Sequence, residues 1–472
     1  MPASVVIGLS GPGATRSGAV WSALNGGATV LIPLGVFVLF ARMMSPSEIS
    51  PIIIAVAALE VIKALGPQGV YDVVIRHPES DHVYYESAAA VFALSGIGLA
   101  SVFAVLVVAS PLVMRAAPPT VSILLGLKIL LDYLVMQPQA VLARRMAFKR
   151  LGARGLAAGL IAGAGGLAIA FVATPPLGLI SYYVLQSLTV YVMTAAGTGA
   201  AVMPRWHPHA MREMAVESAR ATGVRLTAVG FNYFDQLLLG TMIMPSQLGL
   251  YNLGKRIEMF AISLMSSFGQ MLFQPIFSTA DAAHRTHHIG RGIAAISLVC
   301  GAPLVVLALH AHIAVPFIFG WHWAAAAPIV ALLGLSGLAR ALGGVAGALL
   351  TATGRNALLL RIGFWAAAIS VVVILGLAKF GVLVVAIGVL VRNIVFAGVE
   401  FVAAGDARGH LASLFLWNCF IPLAAAGAAS YLASTVAVAV LGLSSALAIF
   451  AVLAAAGLAG AAVAAALLYP RM

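Results

Sequence analysis

The chain of 472 residues is 62% hydrophobic and only 8% charged, with a mean hydropathy of +1.06, whereas a soluble domain carries roughly a quarter charged residues. That composition excludes a soluble protein. The formal net charge of +12 sits in short clusters between apolar runs, without a basic stripe interleaved with aromatics, which excludes a nucleic-acid partner.

The apolar runs are about 18 to 25 residues long and do not alternate, so they cross a hydrocarbon core of roughly 30 Å as helices rather than as barrel strands. Residues 1–17 form a Gly/Ser-rich cytoplasmic tail in which Arg16 is the only charge and no leader-type cleavage pattern occurs. Spans are then predicted at Val20–Met44, Ile49–Gly66, Ser87–Ala109, Val121–Leu142, Gly155–Ala173, Leu177–Met203 and Thr222–Met244. A second set follows at Leu248–Pro275, Gly292–Leu309, Ala324–Thr351, Ala357–Leu377, Val382–Ala403, Leu411–Ala433 and Ala437–Leu468. The fold class is an all-α polytopic membrane protein of about 14 transmembrane helices. Residues 18–210 hold spans one to six, 211–405 spans seven to twelve, and 406–472 two further C-terminal helices.

With the N-terminus inside, about 17 Lys and Arg fall in cytoplasmic segments, about 3 (Arg42, Arg115 and Lys379) outside and about 6 within spans. This asymmetry puts both termini in the cytoplasm. Its largest contributor is Arg144-Arg145-Met146-Ala147-Phe148-Lys149-Arg150, the loop after the fourth span. Leu39–Ile49 follows the first span as Leu238–Leu248 follows the seventh: an apolar helix end, a Pro-Ser turn and a new helix, with Ser47 or Ser246 placed to cap it. Six spans per repeat gives two halves of parallel topology.

Ionisable residues inside spans cost roughly 2.5 to 3.5 kcal/mol each on insertion scales, so each needs a partner, a wet cavity or a function. Glu60 and Lys63 are three apart on the second span, Lys128 and Asp132 four apart on the fourth, and Lys255 and Glu258 three apart on the eighth, beside Arg256. Arg340 and Arg392 lie mid-span on the tenth and twelfth, and Glu400 is two turns from Arg392, close enough in sequence to pair with it. Two readings stand. The cations line a hydrated cavity that holds an anion, most naturally a diphosphate, or the charges neutralise one another and lock helices together. Asn232 and Asp235 either bind a coupling proton or Na⁺, or Asp235 pairs with Lys255 or Arg256.

Other features support only structural roles. His284, His287 and His288 near Asp281 read as a solvated basic loop and not a metal site. Cys300 and Cys419 have neither disulfide nor zinc spacing. Trp206, Trp321 and Trp323 read as interface anchors, Gly155, Gly159 and Gly163 as a packing face, and Pro33, Pro138 and Pro328 as bends. No phosphate-binding loop occurs and outer loops are short, so no cofactor and no enzymatic domain are expected.

Phe40-Ala41-Arg42-Met43-Met44-Ser45-Pro46-Ser47-Glu48 resembles the end of the first helix in polysaccharide-transport flippases of the multidrug/oligosaccharidyl-lipid/polysaccharide exporter superfamily. Asn232–Gly240 with Leu248–Arg256 is similar to that family's seventh-to-eighth helix segment, Gln274–Ser278 to the close of its eighth helix, and Arg145–Lys149 to its basic loop. The segment before Tyr251 and the long, His-containing loop after the second span depart from the family pattern.

The resemblance implies two six-helix lobes around a central cavity, alternating access, and export of an undecaprenyl-diphosphate-linked oligosaccharide across the inner membrane for O-antigen or exopolysaccharide synthesis. A polysaccharide polymerase and glycosyltransferases would be its partners. Carried over by position, Asn232, Asp235, Lys255 and Arg256 would face the cavity, with Lys63, Lys128 and Arg340 on helices that line it. The rivals are a cation-coupled drug or metabolite antiporter, which calls for an acidic or aromatic cavity, and a membrane glycan polymerase, which calls for a large outer loop. On the predicted topology, a cysteine replacing Ser246 should react with an impermeant thiol reagent added outside intact cells and one replacing His287 should not; the opposite pattern would reverse the assignment.

Overall fold

The computed structural model describes residues 31–76, 82–109, 119–198, 203–268, 273, 276–277, 282–405, 411–439, 453–455, 457–460 and 462. Among the described residues there is no strand, and nine helices are long and apolar enough to cross a membrane, with one shorter apolar helix, Leu31–Met43, ahead of them. The protein is an all-helical, multi-pass membrane protein.

The helices follow the predicted spans in order. The first is Leu31–Met43, the second Pro46–Ala64, the third His82–Ala109, and the fourth Pro119–Leu134 continued by Met136–Arg144. Phe148–Val172, Pro175–Thr198, Pro208–Met242 and Pro245–Phe268 form the fifth to eighth. The ninth runs from Ala282–Ile296 through a wide π turn at Ser297–Gly301 into Ala302–Leu309. The tenth opens with a tight turn at Trp321–Ala326 and continues as Ala327–Ala352, followed by Asn356–Leu377, Val382–Ala404 and the thirteenth, which ends as Ile421–Ala439. Most of the fourteenth predicted span lies outside the described residues. Two short helices were not anticipated: Val70–Arg76 in the loop after the second span, and Ala311–Phe319 between the ninth and tenth.

Small residues decide how close these helices come, because lipid gives apolar side chains no reason to prefer one another. A Cβ on Gly159 or Gly163 would meet Ile32 at 2.8 Å or Val36 at 2.9 Å, so this glycine face holds the first span against the fifth. Gly166 and Gly178 let the fifth and sixth touch: a Cβ on Gly166 would stand 2.9 Å from the Gly178 carbonyl oxygen.

The two Pro-Ser turns meet at one end of the molecule, where a Cβ on Gly249 would fall 2.1 Å from the Pro46 carbonyl oxygen. This places corresponding points of the sequence repeat side by side. Ser45 is the residue that caps the second helix, not Ser47: its backbone N–H donates to Glu48 Oε2 at 2.7 Å and its hydroxyl to the same oxygen at 2.8 Å. The backbone N–H of Ser45 holds the Glu48 carboxyl below its ordinary range, with the Ser45 hydroxyl adding to the effect. Ser246 is likewise inside its helix, which begins at Pro245.

This end is sealed by the segment between the ninth and tenth spans. The guanidinium of Arg42 donates to the Ile318 carbonyl at 2.9 Å and also to the carbonyl of Phe317. The indole N–H of Trp323 donates to the Ala41 carbonyl at 2.8 Å. Trp323 is therefore buried and clamps the first span, unlike the exposed Trp206 and Trp321. Pro328 stands in the first turn of its helix, where it bends nothing.

At the opposite end, which carries the basic loop, the Gly69 N–H donates to Thr222 Oγ1 at 3.0 Å. The seventh helix has 35 residues and is roughly 52 Å long at 1.5 Å per residue. It outreaches the hydrocarbon layer on that side, where Glu86 receives Arg205 and His207, each at 3.2 Å.

Gly166→Val is expected to lower the thermal unfolding midpoint of the detergent-purified protein by forcing apart the fifth and sixth spans, an overpacking cost of about 1 to 3 kcal/mol. Gly98→Ala, where nothing lies within 4 Å, should leave the midpoint unchanged or raise it. Equal effects of the two changes would refute this account of the packing.

Candidate functional site

Charge inside the membrane region gathers into two networks, one in each half. In the N-terminal half Asp132 is the hub: Lys128 lies 2.6 Å and Lys63 2.7 Å from its Oδ2, and the Ser187 hydroxyl donates to Oδ1 at 2.6 Å. Lys63 also pairs with Glu60 at 3.1 Å. The backbone carbonyl of Lys63 accepts from the Tyr133 hydroxyl at 2.6 Å and from Gln68 at 3.0 Å. Two carboxylates and two ammonium groups thus tie the second, fourth and sixth spans together.

The C-terminal half is built around Lys255 and Glu258. Lys255 lies 2.8 Å from Asp235 Oδ2 and 3.1 Å from Glu258 Oε2, with side-chain exposures of 3% for Lys255 and 0% for Glu258. Burial this complete leaves each charge dependent on its protein partners. The Tyr251 hydroxyl donates to Asp235 Oδ2 at 3.1 Å. Glu258 Oε1 accepts from Ser336 at 3.2 Å and from Asn393 at 3.0 Å, with Arg340 at 3.7 Å. Arg392 donates to Asn393 Oδ1 at 3.1 and 2.6 Å and to the Ser370 hydroxyl. Its partners are these two residues and not Glu400, which the sequence had offered.

Between the networks lies a cavity of about 390 Å³ bounded by the first, second, fourth, sixth, seventh and eighth spans. Lys128, Lys255 and Arg256 line it with Glu60, and Tyr183, Gln186, Tyr233, Gln236 and Asn252 add polar groups. Lys63 is held behind Glu60, outside this lining, and Arg340 opens on a second cavity within the C-terminal half. The Asn232 side chain and the Asp281–His287 segment lie outside the residues whose side chains are described.

Arg256 differs from every other cation of the cavity. It donates to Asn252 Oδ1 and to the Tyr183 hydroxyl, both at 3.1 Å, and stacks over Phe37 at 3.8 Å, but among the described residues no carboxylate pairs with it. Phe37 in turn packs edge-on against Trp323. The guanidinium therefore stands on the aromatic plug that closes the Pro-Ser end, with its charge directed to the cavity.

An apolar groove of about 450 Å³ adjoins the cavity and shares Leu34 and Phe260 with it. The groove runs between the first, eighth and ninth spans and the described part of the last, along Ile257, Leu304 and Leu458. Two amphiphile-sized environments, one cationic and one apolar, thus meet edge to edge.

Residues 39–328 match the model of a family described as polysaccharide biosynthesis protein. The chain belongs to that family. Its fold is similar to that of the lipid II flippase MurJ in an inward closed conformation, with a TM-score of 0.74 at 11% identity over 97% of this chain and 98% of that one. It is also similar to an inward-facing multidrug resistance MATE family transporter of the MOP superfamily, with a TM-score of 0.55 at 14% identity over 87% of this chain and 97% of that one. A further match is a MOP superfamily transporter from Pyrococcus furiosus, whose binding pocket is described as reversed in polarity, with a TM-score of 0.52 at 12% identity over 84% and 95% of the two chains. No curated protein matches the sequence. The fold is thus one that a lipid flippase and multidrug transporters also adopt.

The charge spacings along single helices point to Glu60, Asp132 and Glu258 as partners of Lys63, Lys128 and Lys255, as the structure shows, but most partners on other helices leave no trace in the sequence. Tyr183, Ser336 and Asn393 carried no signal, since each reaches its partner from another helix. Asn252 was accessible in principle, one turn before Arg256 on the same face. Lys255→Met should leave two buried carboxylates without their ammonium, at a cost of about 3 to 5 kcal/mol, read as loss of folded protein in detergent extracts. Adding Glu258→Gln should recover part of that yield, and equal loss in the single and double variants would show that the charge balance is not what the helices need.

Proposed function

We propose that this protein translocates an undecaprenyl-diphosphate-linked oligosaccharide across the inner membrane, by alternating access of two six-helix lobes, for O-antigen or exopolysaccharide synthesis. The observation that carries the reading is the junction of the cationic cavity with the apolar groove. A lipid diphosphate has the same division, two phosphates beside a hydrocarbon chain. In this reading Arg256, Lys255 and Lys128 hold the diphosphate, the groove takes the first part of the polyprenyl chain, and Lys63 and Arg340 act behind them by fixing Glu60, Asp132 and Glu258. Both termini are cytoplasmic, and the glycan is handed on to a polymerase outside. The reaction needs no covalent step, because only the lobes move.

The rival antiporter reading calls for a cavity that selects cations. Glu60 is the only carboxylate along the described cavity wall, against three cations, which supports the anionic cargo. Arg256→Gln should insert and fold normally yet weaken binding of a polyprenyl diphosphate by roughly tenfold or more, the worth of one charged hydrogen bond. Arg256→Lys should retain part of it, since the charge survives while the planar fork is lost. Accumulation of cytoplasm-facing lipid-linked glycan in cells carrying the Gln variant would report the same defect. Normal export by a stable protein neutralised at Lys128, Lys255 and Arg256 together would rule the proposal out.

A further inference from the structure

The second cavity, of about 570 Å³, lies between the seventh, tenth, eleventh and twelfth spans and has no part in the reading above. Its charged groups are Asp235, Arg340, Arg392 and Glu400. Three of them have partners: Asp235 is held by Lys255, Arg340 leans on Glu258, and Arg392 is bound to Asn393 and Ser370. Glu400 stands apart. Among the described residues it forms no ion pair and accepts no hydrogen bond.

Yet the carboxyl has a fitted seat. A Cβ on Gly343 of the tenth span would overlap Glu400 Oε2, so the oxygen lies in space that the glycine leaves open and a side chain there would displace it. The other charged groups lining the same cavity are Arg340, one turn before Gly343 on the tenth span, Arg392, two turns earlier on the helix of Glu400, and Asp235 from the seventh. The eleventh span offers Ser370 and apolar side chains such as Leu359 and Phe364. A carboxyl seated among lipid-facing helices without a partner carries either a nearby counter-charge or a proton, and here the nearest cations are already engaged elsewhere.

We propose that Glu400 is a proton-binding site whose occupancy sets the charge of the C-terminal half and, through it, the affinity of the central cavity for an anion. The physical connection is continuous: Glu400 lines the same cavity as Arg340, Arg340 lies 3.7 Å from Glu258, Glu258 lies 3.1 Å from Lys255, and Lys255 lines the central cavity. With Glu400 ionised, Asp235, Glu258 and Glu400 balance Lys255, Arg340 and Arg392. One proton from solvent added to the Glu400 carboxylate gives a neutral carboxyl, changes no other bond, and leaves one positive charge in excess. In a medium of low dielectric that excess attracts an anion in the cavity. Linkage then requires the reverse, so that an anion entering the cavity draws a proton onto Glu400. Anion affinity accordingly falls as pH rises through the titration of this group. The inference rests on the anionic cargo proposed above and adds to it the control of that cargo's binding.

Calorimetric titration of the full chain in detergent with farnesyl diphosphate, repeated in buffers of different ionisation enthalpy, reads the protons taken up per molecule bound. The wild type is expected to take up as much as one proton more than Glu400→Gln, which should still bind the probe with an affinity that varies far less with pH. Glu400→Asp should keep part of the uptake, and Gly343→Ala, which displaces the carboxyl without removing it, should shift the pH at which affinity falls. Equal uptake by the wild type and Glu400→Gln, with both binding, would overturn the proton site and leave the anionic cavity standing. Failure of the folded wild type to bind the diphosphate would instead overturn the anionic cavity, and this inference with it.

Discussion

An isolated charge in a hydrocarbon layer costs several kcal/mol, and this chain places six Lys or Arg and several carboxylates where that cost applies. Nearly every part of the architecture answers that constraint. Asp132 draws two lysines from different helices onto one oxygen, and Glu258 gathers Lys255, Arg340, Ser336 and Asn393. Removing any partner exposes the rest, so each network behaves as a unit and not as a sum of pairs. Specificity of helix arrangement follows, because a helix rotated by one residue would leave a carboxylate facing lipid.

The networks also explain where freedom remains. The N-terminal one is neutral in itself, and the C-terminal one is neutral only when Glu400 is counted. What faces the central cavity is therefore not the whole positive excess of the sequence but a few cations whose charge is incompletely cancelled, Arg256 above all. Aromatic support substitutes for a carboxylate there: Phe37 carries the guanidinium, and Trp323 carries Phe37. Cation–π contact stabilises a charge without neutralising it, which leaves the field available to a ligand.

Much of this was legible in the sequence. Nine of the predicted spans fall on described helices long and apolar enough to cross a membrane, because an apolar run of bilayer length leaves a backbone no other option. The paired Pro-Ser turns, the glycine face of the fifth span and the charge spacings three and four apart were readable for similar local reasons. Partners on other helices were not. Spacing along the second span joined Lys63 to Glu60 but gave no hint that Asp132 also binds it from the fourth, and of two open partners for Asp235 only the structure selects Lys255. Trp323 looked like an interface anchor because hydropathy locates a span end without showing what covers it. The helix Ala311–Phe319 was missed since its apolar residues are too few to span and too many for an ordinary loop.

The grip of Arg42 on the Phe317 and Ile318 carbonyls separates geometry from side-chain identity. Its acceptors belong to the main chain at the C-terminal end of a short helix, where unsatisfied carbonyls and the helix dipole both favour a cation. Every residue type supplies the same carbonyl, so sequence drift at positions 317 and 318 leaves the acceptors in place. The latch is thus asymmetric under mutation. One partner tolerates almost any replacement that preserves the helix, while the other must be a side chain able to donate to both carbonyls at once.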